Sequence, residues 1–248
     1  MQNRAISAMI VLAATGAALA QTRPAFEAAS VKPNTTGAMG SRSNGSEGQV
    51  VMSNQTLKRL IERAYSVKPF QVIGPSWMED VRFDIAAKYP PDTKYEDRPL
   101  MLRTLLEDRF KLAAHLESRE APGYALVTAK GGSKLKPVEP GADGVDSKGS
   151  GRTEDFVARK VSMAKLADEM ARFVGVAVID GTAMEGVYDV ELHWTLDPLE
   201  AKTREEADAA LFAAIQDALG KVGLHLRAQK VPVAVVVVDH AERVPSEN

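Results

Sequence analysis

The sequence contains no cysteine. This absence excludes disulfide bonds, thiolate metal sites and cysteine nucleophiles, so the chain must rely on its hydrophobic core for stability. An excess of charge is also absent, because the formal net charge is only −2 at pH 7. Lysine and arginine do not cluster with interleaved aromatic residues, and we therefore expect no binding to nucleic acid.

Long apolar runs are absent after the first residues of the chain. The longest later run, residues 231–238, has the length of a buried strand and contains Pro232. A membrane-spanning helix needs roughly 20 apolar residues, so we expect no span in this later part.

Residues 1–20 carry the three parts of a secretory signal peptide. A polar start with Arg4 precedes an alanine-rich apolar stretch that ends in Ala18, Leu19 and Ala20. The stretch is too short and too weakly apolar to hold a bilayer. The sequence predicts cleavage after Ala20, and no cysteine follows that could carry a lipid anchor. We therefore expect an exported protein, periplasmic or secreted, without a membrane span after signal cleavage.

The remaining chain aligns with itself, which predicts an internal duplication. Four segments of a first half align, in the same order, with four segments of a second half. The aligned pairs are residues 50–67 with 156–173, 82–88 with 187–193, 102–110 with 211–219, and 111–127 with 221–237. Self-similarity in a constant order is the signature of a repeated structural unit.

Hydrophobic periodicity predicts the same order of elements in each half: strand, helix, two strands, helix, two strands. Thr56, Ser162 and Asp97 are predicted N-caps at helix starts, and Pro99 fits the first turn that follows Asp97. The paired strands lie close together in sequence, so we expect antiparallel hairpins with helices packed on them. This arrangement is an α+β fold.

Two prolines and a polar segment define the predicted organisation. Pro122 and Pro232 suit the first position or an edge position of the last strand in each half. Residues 131–152 are rich in glycine, proline and serine and predict a loop or flexible linker. The expected divisions are a signal peptide (1–20), a first half (21–130), this linker (131–152) and a second half (153–248). Two domains or one compact unit are both possible, and the small size of each half favours one unit.

Ser162 and Lys165 match the S-x-x-K pattern of serine–lysine enzymes such as the penicillin-binding proteins. The partner motifs Ser-Asp-Asn and Lys-Thr-Gly are absent from the sequence. The alternative is that Ser162 caps a helix, as Thr56 does in the first half, where Arg59 takes the place of the lysine. We favour the cap.

Two histidines and two aspartates occupy equivalent positions in the halves. His115 and His225 could share a metal ion, but neither lies in a typical ligand spacing, which favours ordinary strand residues. Asp84 and Asp189 could do acid–base chemistry if their carboxylates lay about 5–10 Å apart. Such strand aspartates more often face solvent or a loop amide. The sequence therefore assigns no catalytic, metal-binding or cofactor-binding residue, and it predicts no cofactor.

Five phrases span most of the chain beyond the signal peptide. They are residues 26–34 (FEAASVKPN), 56–88, 101–137, 186–194 (GVYDVELHW) and 239–248 (DHAERVPSEN). Together they resemble the soil-associated exported family of unknown function, which occurs in many paralogous copies in soil bacteria. The resemblance implies no catalytic residues.

The resemblance also points to partners outside the cytoplasm. In some relatives a domain of this kind follows a membrane-embedded zinc peptidase of the antibiotic-sensing type, whose H-E-x-x-H motif is absent here. The helix–strand–strand units are similar to small periplasmic modules of secretins and outer-membrane receptors, which mediate protein contacts; this likeness is one of fold alone.

The leading hypothesis is a non-catalytic exported module that binds a protein, a peptide or a cell-wall fragment. One alternative is a cell-envelope hydrolase that uses Ser162 and Lys165 or the aspartates and histidines. The other alternative is a metal-binding protein that uses His115 and His225.

Overall fold

A computed structural model describes residues 23–38, 40–150, 153–196 and 203–247. The predicted signal peptide at residues 1–20 lies outside the described residues. The strands are β1 (Ala28–Pro33), β2 (Arg42–Ser46), β3 (Gln49–Thr56), β4 (Val72–Ile73), β5 (Arg82–Lys88), β6 (Ala113–Thr128), β7 (Pro137–Val138), β8 (Gly144–Ser150), β9 (Thr153–Val161), β10 (Val178–Asp180), β11 (Val187–Thr195) and β12 (Leu224–His240). The α-helices are α1 (Leu57–Tyr65), α2 (Asp97–Phe110), α3 (Met163–Val174) and α4 (Arg204–Lys221). The predicted α+β class is confirmed.

The strands form two outer sheets and one central sheet. The first outer sheet has the order β1-β5-β3-β2, and the second has the order β7-β11-β9-β8. All neighbours in both outer sheets are antiparallel. If the strands are numbered from one within each half, the two outer sheets have the same strand order. The duplication itself stays a prediction.

The central sheet takes strands from both halves. Its long strands β6 and β12 run antiparallel and pair along nearly their whole length. The short strand β10 of the second half adds in parallel to β6, and the short strand β4 of the first half adds in parallel to β12. Each half therefore supplies a short strand that pairs with the long strand of the other half.

The helices cover the outer sheets because their apolar residues recur on one face. In α1 the buried residues are Leu57, Leu60, Ile61 and Ala64, which is the spacing of one helical stripe. They join a first core with Phe83 and Phe110, whose rings meet edge-on at 4.8 Å, and with two valines of β12. The equivalent stripe of α3 joins a second core, together with leucines of β6 and β12. Both cores are thus anchored on the same central strands.

Several predicted details were wrong. The two strands expected at the end of each half are one long strand, and no hairpin forms between β4 and β5, because β4 pairs with β12. Pro122 and Pro232 lie within these long strands, outside the short stretches that β10 and β4 cover. Their missing N–H groups therefore face a local edge, where proline is tolerated.

The predicted linker also contains regular structure. Residues 131–152 include β7 and β8, which pair with β11 and β9. These strands lie at sheet edges and bury few side chains. Their sequence is therefore polar and rich in glycine, and it lacks the apolar alternation that predicts a strand. Asp97 is the first residue of α2 rather than its N-cap, which is Glu96. No helix in the described part of the chain has the length and apolar character that a membrane crossing needs.

Candidate functional site

Ser162 serves as a helix cap. Its Oγ accepts a hydrogen bond from the backbone N–H of Lys165 at 3.1 Å, and Thr56 caps α1 in the same way through the N–H of Arg59 at 3.2 Å. The Lys165 ammonium lies 3.1 Å from Glu169 Oε1, one helical turn further on. The serine and the lysine side chain therefore have separate partners, and the arrangement does not resemble a serine–lysine nucleophile.

Asp84 and Asp189 each hold a kink in the neighbouring strand. Asp84 Oδ1 accepts the N–H of Asn54 at 2.8 Å, and Asp189 Oδ1 accepts the N–H of Lys160 at 2.9 Å. Asn54 and Lys160 both have a left-handed backbone, with φ of 57° and 53°. Each lies at an irregularity in the strand pairing, just before a capped helix. The carboxylates are thus bound to backbone amides of their own outer sheets, which is the structural role that their strand positions favoured.

His115 and His225 cannot share a metal ion. His115 lies opposite Val237 and His225 opposite Val127, near opposite ends of the β6–β12 pair. Twelve residues of β12 separate His225 from Val237, which corresponds to roughly 40 Å at about 3.3 Å per residue. His115 Nδ1 lies 2.8 Å from Asp239 Oδ2, and this hydrogen bond raises the pKa of His115 above its ordinary value. Within the described residues, no group of three or more histidines and carboxylates could hold a metal ion.

The best candidate for a ligand site is an open cleft in the first half, between the first outer sheet and its helices. Its volume is about 440 Å³, within the range of small-molecule sites. We call it the first-half cleft. It is lined by Phe26, Ser43, Gly45, Val50, Met52, Arg63, Ser66, Tyr89, Tyr95, Arg98, Pro99 and Leu102. Apolar and aromatic side chains therefore surround two basic groups.

The two arginines of the first-half cleft form no ion pair among the described residues, although the charge of Arg63 also acts on neighbouring Glu62. Arg63 is exposed on the last turn of α1, where its charge also favours the helix C-terminus. Arg98 lies over the ring of Tyr89, with its guanidinium carbon 4.9 Å from the ring centroid, and 5.4 Å from that of Tyr95. Arg98 Nε is buried and has no hydrogen-bond acceptor in the described structure. The cleft thus carries positive charge that is not held in an ion pair.

The equivalent region of the second half is filled. The alignment places Phe156 at the position of Val50 and Phe173 at that of Val67. Trp194 directly follows the aligned segment 187–193, as Tyr89 follows 82–88. The rings of Phe156 and Phe173 meet edge-on at 5.9 Å, and those of Phe173 and Trp194 at 5.0 Å. These large side chains pack against one another between the second outer sheet and α3.

The second half also has the opposite charge at the position that corresponds to Arg63, and there the charge is held in ion pairs. Glu169 takes the position of Arg63 in the alignment. It is buried, and its carboxylate lies 3.1 Å from the Lys165 ammonium and 3.0 Å from the Arg172 guanidinium. Among the described residues of the second half, these positions therefore hold large rings and a paired carboxylate.

A groove of about 480 Å³ lies between the halves and is slightly larger than the first-half cleft. Its charged lining residues are Lys68 and Arg172, which pair with Asp168 and Glu169. Because these charges are satisfied within the chain, the groove has less to offer a ligand. We therefore prefer the smaller cleft on chemical grounds.

Sequence reasoning missed the first-half cleft. The alignment of the halves contained a signal, because it pairs the small Val50 with Phe156 and the basic Arg63 with the acidic Glu169. Smaller residues and an opposite charge at aligned positions indicate that the space between sheet and helices is filled differently in the two halves. What could not be read from sequence is that Tyr89 and Arg98 approach the same space, since they lie on different elements.

The family described as "Protein of unknown function (DUF3738)" matches residues 58–241. The chain belongs to this family. The match includes Arg63, Tyr89 and Arg98 of the first-half cleft, whereas β1, β2 and β3 precede it. The comparison with curated proteins gives no match, and the comparison with solved structures gives none either.

Proposed function

We propose that the protein is an exported, non-catalytic binding module whose ligand site is the first-half cleft. The observation that carries the proposal is the contrast between this open, positively charged cleft and the filled, neutralised region that corresponds to it. A cavity lined by apolar walls and a few convergent polar groups is the usual form of a small-molecule site.

Two further observations favour binding over catalysis. Ser162 and Lys165 have separate structural partners. Asp84 and Asp189 are engaged by backbone amides, and the equivalent histidines lie far apart. Export is supported by the signal-like pattern of residues 1–20 and by the resemblance to the soil-associated exported family.

A fragment screen by two-dimensional NMR of isotope-labelled protein tests the binding site. We expect hits that perturb Met52 and Tyr89 and that are lost in Val50→Phe, because the larger ring copies Phe156 and fills the cleft. Val233→Ile, in the central sheet, is the matched control and should keep the hits. Hits that survive Val50→Phe, or a screen in which no hit perturbs the cleft, would count against the proposal.

Two simpler experiments test the other parts. A fluorophosphonate probe should not label the folded protein, and labelling that disappears in Ser162→Ala would support the hydrolase instead. For export, the N-terminus of protein recovered from the periplasm or the culture fluid should be Gln21. Recovery of the intact N-terminus from the cytoplasm alone would contradict export.

A further inference from the structure

We infer that the first-half cleft binds a small organic acid with an aromatic body, the carboxylate lying at Arg63 and Arg98. This inference rests on the proposed function and adds the chemical class of the ligand. It follows from the charge of the lining, from the setting of Arg98 and from the nature of the walls.

The charge of the lining selects an anion. Arg63 and Arg98 are the charged residues among those that line the cleft. Most other basic side chains near the first core are engaged: Lys58 pairs with Glu79 at 2.6 Å, and Arg82 donates to the carbonyl of Asn54 at 3.1 Å. An anion that enters the cleft therefore meets positive charge and no carboxylate.

The setting of Arg98 favours a planar carboxylate. A guanidinium held against an aromatic face keeps its N–H groups at the edge, where they match the two oxygens of a carboxylate. Arg103 is a useful comparison, because it also stacks on a ring, that of Tyr65, but donates to the carbonyl of Ala64 at 3.3 Å. The Nε atoms of Arg98 and Arg103 are both buried without an acceptor, although buried donors are normally paired. Unlike Arg103, Arg98 also forms no hydrogen bond through its terminal nitrogens among the described residues.

The walls select an aromatic body. Phe26 and Tyr89 are neighbours with ring centroids 6.3 Å apart, and Tyr95 is 78 % exposed beside them. Val50, Met52 and Leu102 complete an apolar surface. Aromatic rings prefer such offset or edge-on neighbours, and their burial contributes more than their area alone. A cleft of about 440 Å³ has room for a fused two-ring acid.

Isothermal titration of the full exported chain with 2-naphthoate and with its neutral counterpart 2-naphthamide tests the inference. We expect naphthoate to bind at least about tenfold more tightly than the amide, since a charge-assisted hydrogen bond is lost with the carboxylate. Arg98→Gln and Arg63→Gln should each weaken naphthoate binding more than amide binding and so remove much of this preference. Arg227→Gln, at an exposed position on β12, is the control and should change nothing.

The outcomes separate the two proposals. Equal binding of acid and amide, both lost in Val50→Phe, would overturn the ligand class and leave the first-half cleft as a binding site. Binding of the acid that is unaffected by either arginine change would also overturn it. If neither compound binds, the inference fails, and the proposed function then stands or falls on the fragment screen.

Discussion

The two halves build the same layer and fill it differently. Between the second outer sheet and its helices, Phe156, Phe173 and Trp194 form a continuous aromatic cluster. Between the first outer sheet and its helices, Val50 and Tyr89 leave a cleft with Arg98 at its wall. The difference shows how one arrangement of strands and helices can serve stability in one half and leave room for a ligand in the other.

The largest expected effect tests the filled side of this comparison. Phe156→Ala removes a fully buried ring and should lower the free energy of unfolding by about 3–5 kcal/mol. Val50→Ala, at the matched position, removes a half-buried side chain and should cost about 1 kcal/mol. Urea denaturation followed by circular dichroism measures both. Equal costs would mean that the two regions are equally packed.

The next effect concerns the strand kinks that both halves share. Asp84 accepts hydrogen bonds from the N–H of Asn54 and from the side chain of Asn34, the latter at 2.8 Å and 3.0 Å. Asp84→Ala should cost about 2 kcal/mol, because it leaves the buried amide of Asn54 unpaired. Asp189→Ala should cost about 1 kcal/mol, since Lys160 is less buried. A larger loss for Asp189→Ala in urea denaturation would reverse this part of the comparison.

The helix caps should give nearly equal effects in the two halves. Thr56→Ala and Ser162→Ala each remove one capping hydrogen bond and should each cost about 1 kcal/mol. Ser162→Thr keeps the cap and is the control. Thermal melts can detect these changes, and a loss for Ser162→Ala well beyond that for Thr56→Ala would point to a further role of this serine.

The smallest expected effect is the change in the free energy of unfolding when Arg63 is replaced. Because its side chain is exposed and has no ion pair among the described residues, Arg63→Ala should change the free energy of unfolding by no more than about 0.5 kcal/mol. The same change should weaken binding of 2-naphthoate. A large loss of stability in chemical denaturation would assign Arg63 a structural role and remove it from the ligand site.

The sequence predicted what depends on local pattern. The helices α1 and α3 with their caps Thr56 and Ser162, and the α+β class, follow from apolar spacing and capping chemistry. The exchange of β4 and β10 between the halves could not be predicted, because two- and three-residue strands carry almost no periodicity. The edge strands β2 and β8 were missed because their residues are polar and exposed.

The site was harder to predict than the fold. Its lining residues come from β2, β3, α1, α2 and the segments around Phe26 and Tyr89, and only the folded chain brings them together. The candidates that sequence could name were residues of recognisable chemical type. The structure gives Asp84, Asp189 and Ser162 local structural partners.

A crystal structure of the protein soaked with 2-naphthoate tests the central claim most directly. The account predicts the naphthalene rings in the first-half cleft, beside Tyr89 and Leu102, with the carboxylate within hydrogen-bond distance of Arg98 or Arg63. Ligand density in the groove between the halves, or none in the first-half cleft at saturating concentration, would contradict it.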